Sequence, residues 1–412
     1  MASLSISDRP VQASQPPGSV AAPSPTLGPG GAAPGSQQAL ALRNREIVLA
    51  GLLAAGPATQ AALARSTGLS AATVSNVVSR LRREGRVRTD YTVSHGRRAV
   101  LVQLQEGRPL AAGFEVSSGL LHAVLLRPGG QIVARASVPA SGLQTGAGLS
   151  EAVADSLRIL LAEVGAEEGS LGAASVALPR PPVPGAGPVT GGIAFRGCSG
   201  GAIQAVIQEA LGVPVTVAAA PAMAAFAHSR HLQATDGAVL FLSAGSEVTA
   251  GIVLGGQPYT GHAGLAGQIG HIRVSDQGLP CRCGNRGCLD TIASVPAVLA
   301  AYATAHAPVT FREFAAFAVA GDPAALRIAE AAAEALGRAA AGAANIINPR
   351  HIVLSGPLGA LGALLLDPFR RSLVKEAGPG IGDAAVVSLN ALGPDAAAVG
   401  AALYAARAIT TF

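Results

Sequence analysis

Apolar positions between residues 38 and 105 recur first at helical and then at strand spacing. Leu42, Val48 or Leu49, and Leu52 or Leu53 fall on one side of 38–55, as in an amphipathic helix. Gly56-Pro57 ends that pattern. Thr59 is placed to cap a short helix through Arg65, and Thr67-Gly68-Leu69 reads as a tight turn. Ser70 is the next cap, for a helix over 71–84 that stops at Gly85. Residues 86–91 and 98–102 then read as two strands flanking the polar turn Ser94-His95-Gly96-Arg97.

Helix, short helix, turn, helix and a two-stranded wing form the winged helix-turn-helix order, here over 38–105. Leu63, Leu69, Val74, Val78 and Leu81 close its small core. The third helix then turns Ala71, Ala72, Thr73, Ser75, Asn76 and Ser79 outward, where small side chains approach base edges or thymine methyls. Ser70 starts that surface, Arg80, Arg82 and Arg83 reach phosphates, and Arg97 and Arg98 on the wing enter a minor groove or clamp the backbone.

Strand-like stretches alternate with helical ones in the remainder. A meander occupies about 110–137, a helix about 149–165, a strand 174–178, and a Pro/Gly loop runs through 192. A helix at 200–211 leads to a strand at 213–217 and a helical stretch at 220–231. A second cycle opens at 237–242 and 249–254, turns mostly helical over 294–345, and closes with a strand at 351–354 and a helix at 396–406. One strand-then-helix series repeated once predicts a two-lobed α/β body. Its expected boundaries are 110–235 for lobe 1 and 236–412 for lobe 2, with the final helix returning to lobe 1. Residues 1–37, with Gln15-Pro-Pro-Gly-Ser19, have no periodicity and read as a disordered tail.

Charge sharpens this division. Residues 38–105 carry ten arginines, no lysine and three acids, a net +7. The whole chain of 412 residues is +5, so the rest is slightly acidic. A basic head on a near-neutral body fits double-stranded DNA as the partner. Aromatic residues are only 3% of the chain, so the core must be built from Leu, Val, Ile and Ala. No signal-peptide pattern opens the chain and no clean apolar run spans a membrane, so a cytoplasmic protein without a membrane partner is expected.

Three of the four cysteines lie within eight residues, as Cys281-Arg-Cys283-Gly-Asn-Arg-Gly-Cys288, with His271 ten residues upstream. Three thiolates and one imidazole are the ligand set of a structural zinc site. Clustering without a wider framework favours metal over disulfides. Cys198 reads as a small buried hydrophobe, His95 as a turn residue or a phosphate contact, and His228 and His231 as solvated positions.

The strongest block of the chain runs from Gly261 to Ser294. It holds Gly264-Leu-Ala-Gly267-Gln268-Ile-Gly270-His271 and the cysteine segment, ending in Leu289-Asp290. Asn348-Pro349 and Leu392-Gly393-Pro-Asp395-Ala396 through Ala402 add to it, as do Arg43-Asn-Arg45, Gly68-Leu-Ser70, Thr73-Val-Ser75 and Gly96-Arg97-Arg98 in the head. Together these residues resemble the ROK family of repressors and sugar kinases, and its repressor branch in particular, over about 40–410. The resemblance implies an actin-like, ribonuclease H-like ATPase fold for the body.

Measured by that resemblance, the catalytic positions are altered. The strand, Asp and Gly-Gly-Thr turn that open lobe one in the kinases read Gly113-Phe-Glu115-Val-Ser117-Ser118-Gly119, so the flexible glycines that wrap phosphate are replaced. The second, glycine-rich loop reads Gly245-Ser-Glu247-Val-Thr249, where a carboxylate repels phosphate unless it turns away. The Asn-Asp pair that supplies the general base falls on Ala219 and Ala220, and methyl groups accept no proton. Kinase activity is therefore not expected, and no catalytic residue is assigned.

The resemblance places Gln268, His271 and Asp290 in the ligand pocket, with His271 shared by the metal. The sugar loop is rewritten as Leu178-Pro-Arg-Pro-Pro-Val-Pro-Gly185. A site stripped of its hydroxyl contacts loses discrimination, so the effector is left open between a sugar, a modified or non-sugar metabolite, and none. The expectation is a zinc-bearing repressor acting as a homodimer or homotetramer on a partly palindromic operator. A sugar kinase of residual activity and a ligand-independent DNA-binding regulator are the alternatives.

Overall fold

The computed structural model describes residues 37–83, 87–94, 97–104, 109–117, 119–139, 145–179, 200–234 and 237–411. The expectations for the tail before residue 37, Gly85, His95, Ser118, Cys198 and the rewritten loop beyond Pro179 lie outside these residues, as does the side chain of Arg97.

The head contains α1 (Gln37–Ala55), β1 (Ala58–Thr59), α2 (Gln60–Thr67), α3 (Ala71–Arg83), β2 (Val87–Ser94) and β3 (Arg97–Leu104). Local chemistry sets the helix ends. The Thr59 hydroxyl accepts from the Ala62 amide at 3.1 Å, and Gly68 ends α2 at φ 70°. The Ser70 hydroxyl accepts from the Thr73 amide at 3.1 Å. Val48, Leu49, Leu52, Leu63, Val74, Val78 and Leu81 are buried together with Val87 and Val102 of the wing, and Leu69 packs against them. β1 pairs with β3 and makes the wing three-stranded, in the order β1-β3-β2.

The body opens with β4 (Leu110–Ser117), β5 (Leu120–Leu126), β6 (Ile132–Pro139), α4 (Gly146–Glu163), β7 (Leu171–Leu178), α5 (Gly200–Leu211), β8 (Val215–Ala219) and α6 (Ala220–His231). It continues with β9 (Val239–Ala244), β10 (Val248–Leu254) and β11 (Gln257–Pro258). The helices α7 (Asp290–Ala293), α8 (Val295–Ala303), α9 (Phe311–Val319) and α10 (Pro323–Ile347) follow. β12 (His351–Ser355), α11 (Ala363–Glu376), α12 (Ile381–Ala384), β13 (Val386–Leu389) and α13 (Ala396–Thr411) complete it. Among the described residues no helix is long and apolar enough to cross a membrane.

Two five-stranded sheets repeat one plan, with orders β6-β5-β4-β7-β8 and β11-β10-β9-β12-β13. In each, an antiparallel meander supplies three strands and two parallel strands extend it. This duplicated plan is the ribonuclease H-like, actin-like α/β body. The short strands β11 and β13 and the helix α11 were not expected from the periodicity; β11 and β13 are too brief to show alternation.

α6 and α13 lie between the sheets. Ala397 and Ala401 pack with Phe226, Phe241 and Val353, and Ala398, Ala402 and Ala405 pack with Ala111, Val124 and Ala173. A glycine stands at each successive crossing. A Cβ at Gly251 of β10 would overlap the Pro221 carbonyl of α6, one at Gly400 of α13 the Met223 carbonyl of α6, and one at Gly113 of β4 the Ala398 carbonyl of α13. None of these neighbours is the yielding end of a side chain.

Gly400→Ala and Gly113→Ala are therefore expected to destabilise the chain by at least the ~1–3 kcal/mol of an overpacked core. Gly342 lies on an exposed face of α10, where a Cβ meets nothing within 4 Å. Gly342→Ala should stabilise by ~0.5–1 kcal/mol through helix propensity alone. Urea unfolding of the three variants checks this; a Gly400→Ala protein as stable as the parent contradicts the close-packed spine.

Candidate metal centre and ligand cleft

The segment after β11 is shaped by backbone hydrogen bonds before any metal is considered. The Cys281 amide donates to Asn285 O at 2.7 Å, Gly284 to Cys281 O at 2.9 Å, and Gly287 to Leu279 O at 3.0 Å. Gly284 and Gly287 adopt φ of 93° and 70°, and a Cβ at Gly287 would overlap the Ser275 carbonyl. The resulting small hairpin returns Cys288 beside a 3-10 turn at Ile269–His271.

One ligand atom each from His271, Cys281, Cys283 and Cys288 then lies within 4.8 Å of all the others. His271 Nδ1 is 3.6 Å from Cys281 Sγ, and Cys283 Sγ is 3.7 Å from Cys288 Sγ. A tetrahedral ion with Zn–S of about 2.3 Å and Zn–N of about 2.0–2.1 Å requires S···S of about 3.8 Å and N···S of about 3.6 Å. The donor set fits zinc in type and in spacing. Burial pushes the Cys288 thiol up to about 12, and the neighbouring sulfurs add to the shift, so a thiolate there calls for a cation beside it.

β10 gathers positions that the resemblance assigns to a ligand pocket. Its Ala250 amide donates to Gly267 O at 2.7 Å, which seats Gln268 beside it. Its Val248 amide donates to Asp290 Oδ1 at 2.7 Å. Gly251 meets Pro221, next to Ala219 and Ala220 at the start of α6. Ala219 caps that helix without a side-chain hydrogen bond.

Glu247 is paired. Arg282, between two of the cysteines, donates from Nη1 to Glu247 Oε1 at 2.5 Å and from Nη2 to Asp290 Oδ2 at 3.2 Å. The Glu247 hydrogen bond raises the Arg282 pKa further, with the charges of Glu247 and Asp290 adding to it. Sequence reasoning found both carboxylates and the cysteines but not this arginine, because no local pattern marks a side chain that works across 35 residues.

Glu115 lies within β4, ahead of the stretch that the resemblance sets against the first phosphate turn. It lies opposite His122 in the β4–β5 ladder and is buried, with Oε2 lacking a hydrogen-bond partner. Burial raises its pKa to about 8, Asp395 adds to the shift, and the backbone amides of Ala398 and Ala397 oppose it. Asp395 itself accepts from Arg135 Nη1 at 2.9 Å. His122 shares a 2.8 Å hydrogen bond with the Ser137 hydroxyl, and burial pushes its pKa down.

One expectation is corrected here. His228 is not solvated but buried in α6, with Nε2 2.9 Å from Asn390 Oδ1 and its ring stacked on Phe241. Asn390 Nδ2 donates in turn to Ser355 Oγ and Gly393 O. A histidine on an alanine-rich helix gives no local sign that a partner 162 residues away will bury it.

In the head, Ser70, Ala71, Asn76, Arg80, Arg82 and Arg83 are exposed along α3, and Thr73 and Ser75 are half-buried. Tyr91 of β2 is exposed, and the Arg98 guanidinium lies over its ring at 3.8 Å from the centroid. Tyr91 escaped the sequence reading because its partner sits on the opposite strand.

The family model described as "ROK family" matches residues 121–408, and a domain of unknown function, DUF7343, matches 41–103. A putative xylose repressor of Caldicellulosiruptor sp. is 27% identical over 365 residues, covering 81% of this chain and 88% of its own. A glucokinase of Halalkalibacterium halodurans is 35% identical over 185 residues, which are 40% of this chain and 56% of the glucokinase. Among solved structures, a ROK family transcriptional regulator homologous to the E. coli MLC protein aligns with a TM-score of 0.72 at 22% identity, over 90% of this chain and 97% of that one. A ROK family glucokinase of Streptomyces griseus, in complex with glucose and AMPPNP, aligns with a TM-score of 0.61 at 24% identity, over 72% and 99%. At these identities the structural likenesses establish the fold.

The raised pKa of Glu115 predicts a pH signature. The folded state holds a proton that the unfolded state releases near 4.5, so this contribution to stability is full below about 4.5 and is lost as pH rises through about 8. Glu115→Gln cannot ionise. Its melting temperature relative to the parent should therefore climb steadily between about pH 5 and pH 9. A difference that stays flat over this range contradicts a buried, proton-bearing Glu115.

Proposed function

This chain belongs to the ROK family, and we propose that it is a DNA-binding transcriptional repressor of that family that has given up sugar phosphorylation. The observation that carries this reading is the outward face of α3, where Ser70, Ala71, Thr73, Ser75 and Asn76 precede Arg80, Arg82 and Arg83 on a closed three-helix core. Small polar side chains near the helix start suit base edges, and the arginines suit phosphates. The wing supplies Arg97 and Arg98. Residues 38–105 form the DNA-binding domain in this reading, with 110–235 and 236–412 as the two lobes.

The likeness to the putative xylose repressor extends over most of both chains, whereas the glucokinase match is confined to 40% of this chain. Loss of chemistry rests on Ala219 and Ala220 in place of an acid, the flexible glycines of the first phosphate turn replaced at Ser117 and Ser118, and Glu247 in place of a glycine at the second. His271, Cys281, Cys283 and Cys288 hold a structural zinc that orders the hairpin under the cleft. Gln268, His271 and Asp290 line the pocket for a small-molecule effector, a sugar or a related polar metabolite. The protein works in the cytoplasm as a homodimer or homotetramer, whose two-fold symmetry matches paired half-sites.

Genome-wide mapping of bound DNA tests the reading. A recurring, partly palindromic site is expected, and its absence contradicts it. On that site, Arg97→Ala/Arg98→Ala should weaken binding and lower the slope of log K against log salt by roughly 0.9 for each phosphate that is no longer neutralised. Titrations at several salt concentrations measure this; unchanged affinity and slope remove the wing from the interface.

A further inference from the structure

The two ends of the cysteine hairpin converge on one turn. Before the last cysteine, Arg282 reaches Glu247 at 2.5 Å; after it, Asp290 Oδ1 accepts from the Val248 amide at 2.7 Å. Arg282 also closes on Asp290 Oδ2 at 3.2 Å. One guanidinium thus sits between two carboxylates that would otherwise repel each other across the turn joining β9 and β10. Glu247 and Asp290 are largely shielded, at 18% and 11% exposure, so that repulsion is weakly screened. Arg282 stands between Cys281 and Cys283 in sequence.

We infer that Arg282 is the positioning residue through which the metal hairpin sets the β9–β10 turn and the pocket carboxylate Asp290. This rests on the zinc reading above and goes beyond it, because it gives the hairpin a task at the cleft in addition to its own folding. With Arg282 in place, both Asp290 oxygens are engaged. A ligand that donates a hydroxyl to Asp290 Oδ2 must compete with Arg282 Nη2, the donor that joins Asp290 to the arginine holding Glu247. Arg282 is therefore where occupancy of the pocket and order of the metal loop meet.

Hydrogen exchange of the full chain, with zinc content measured on the same samples, tests the inference. The parent should carry one zinc per chain and exchange slowly across 245–249. Arg282→Ala should keep its zinc, yet exchange there at least ten-fold faster. Arg282→Lys, with a single nitrogen for two carboxylates, should fall between. Stripping zinc from the parent with a chelator should reproduce the Arg282→Ala pattern across 245–249. Zinc-loaded Arg282→Ala with parental exchange overturns this inference and leaves the metal site standing. A parent without zinc overturns the metal site, and the coupling with it.

Discussion

α6 and α13 cross at the distance of bare backbones, and the relation of the two sheets depends on that contact. Gly251, Gly400 and Gly113 stand at the three successive interfaces from one sheet to the other, each facing a carbonyl that has no room to move. Alanine fills most of the remaining space between these layers. A chain with so few aromatic residues gains its packing density here from closeness, not from side-chain bulk. Everything at the cleft is referred to this spine: Ala219 and Ala220 start α6, β10 packs on α6 through Gly251, and Glu115 meets the first turn of α13.

Within that frame, the three stretches that the proposed reading sets against a sugar kinase's phosphate and proton positions carry groups of a different kind. Glu115 accepts from the Ala398 and Ala397 amides at the start of α13, and burial raises its pKa. Glu247 is drawn into an ion pair with Arg282. Methyl groups stand at 219 and 220. Shielded acids are expensive unless partnered, and Glu115 and Glu247 both meet partners from distant parts of the chain. The cysteine hairpin provides one of those partners, Arg282.

What the sequence showed and what it hid follow from the range of the forces involved. Thr59, Gly68 and Ser70 act within four residues, and their caps and turn appear where the periodicity puts them. The four metal-ligand residues lie within 18 positions, and their types alone define a donor set. The two-lobed plan was legible because each lobe repeats strand and helix in order. Hidden from view were interactions spanning tens to hundreds of residues: His228 with Asn390, Arg282 with Glu247, and Glu115 with Ala398. In each case the residue's own neighbourhood is uninformative, and its environment is decided by which helix crosses above it.

The central claim is that this fold is used here to recognise and not to phosphorylate. It is tested most directly by incubating the full chain with ATP, magnesium and a panel of hexoses, pentoses and amino sugars, and measuring ADP release and sugar phosphate. The account predicts no turnover above the rate without protein. Sustained turnover on any sugar of the panel would contradict it, because no residue at 219 or 220 is then needed to take the hydroxyl proton.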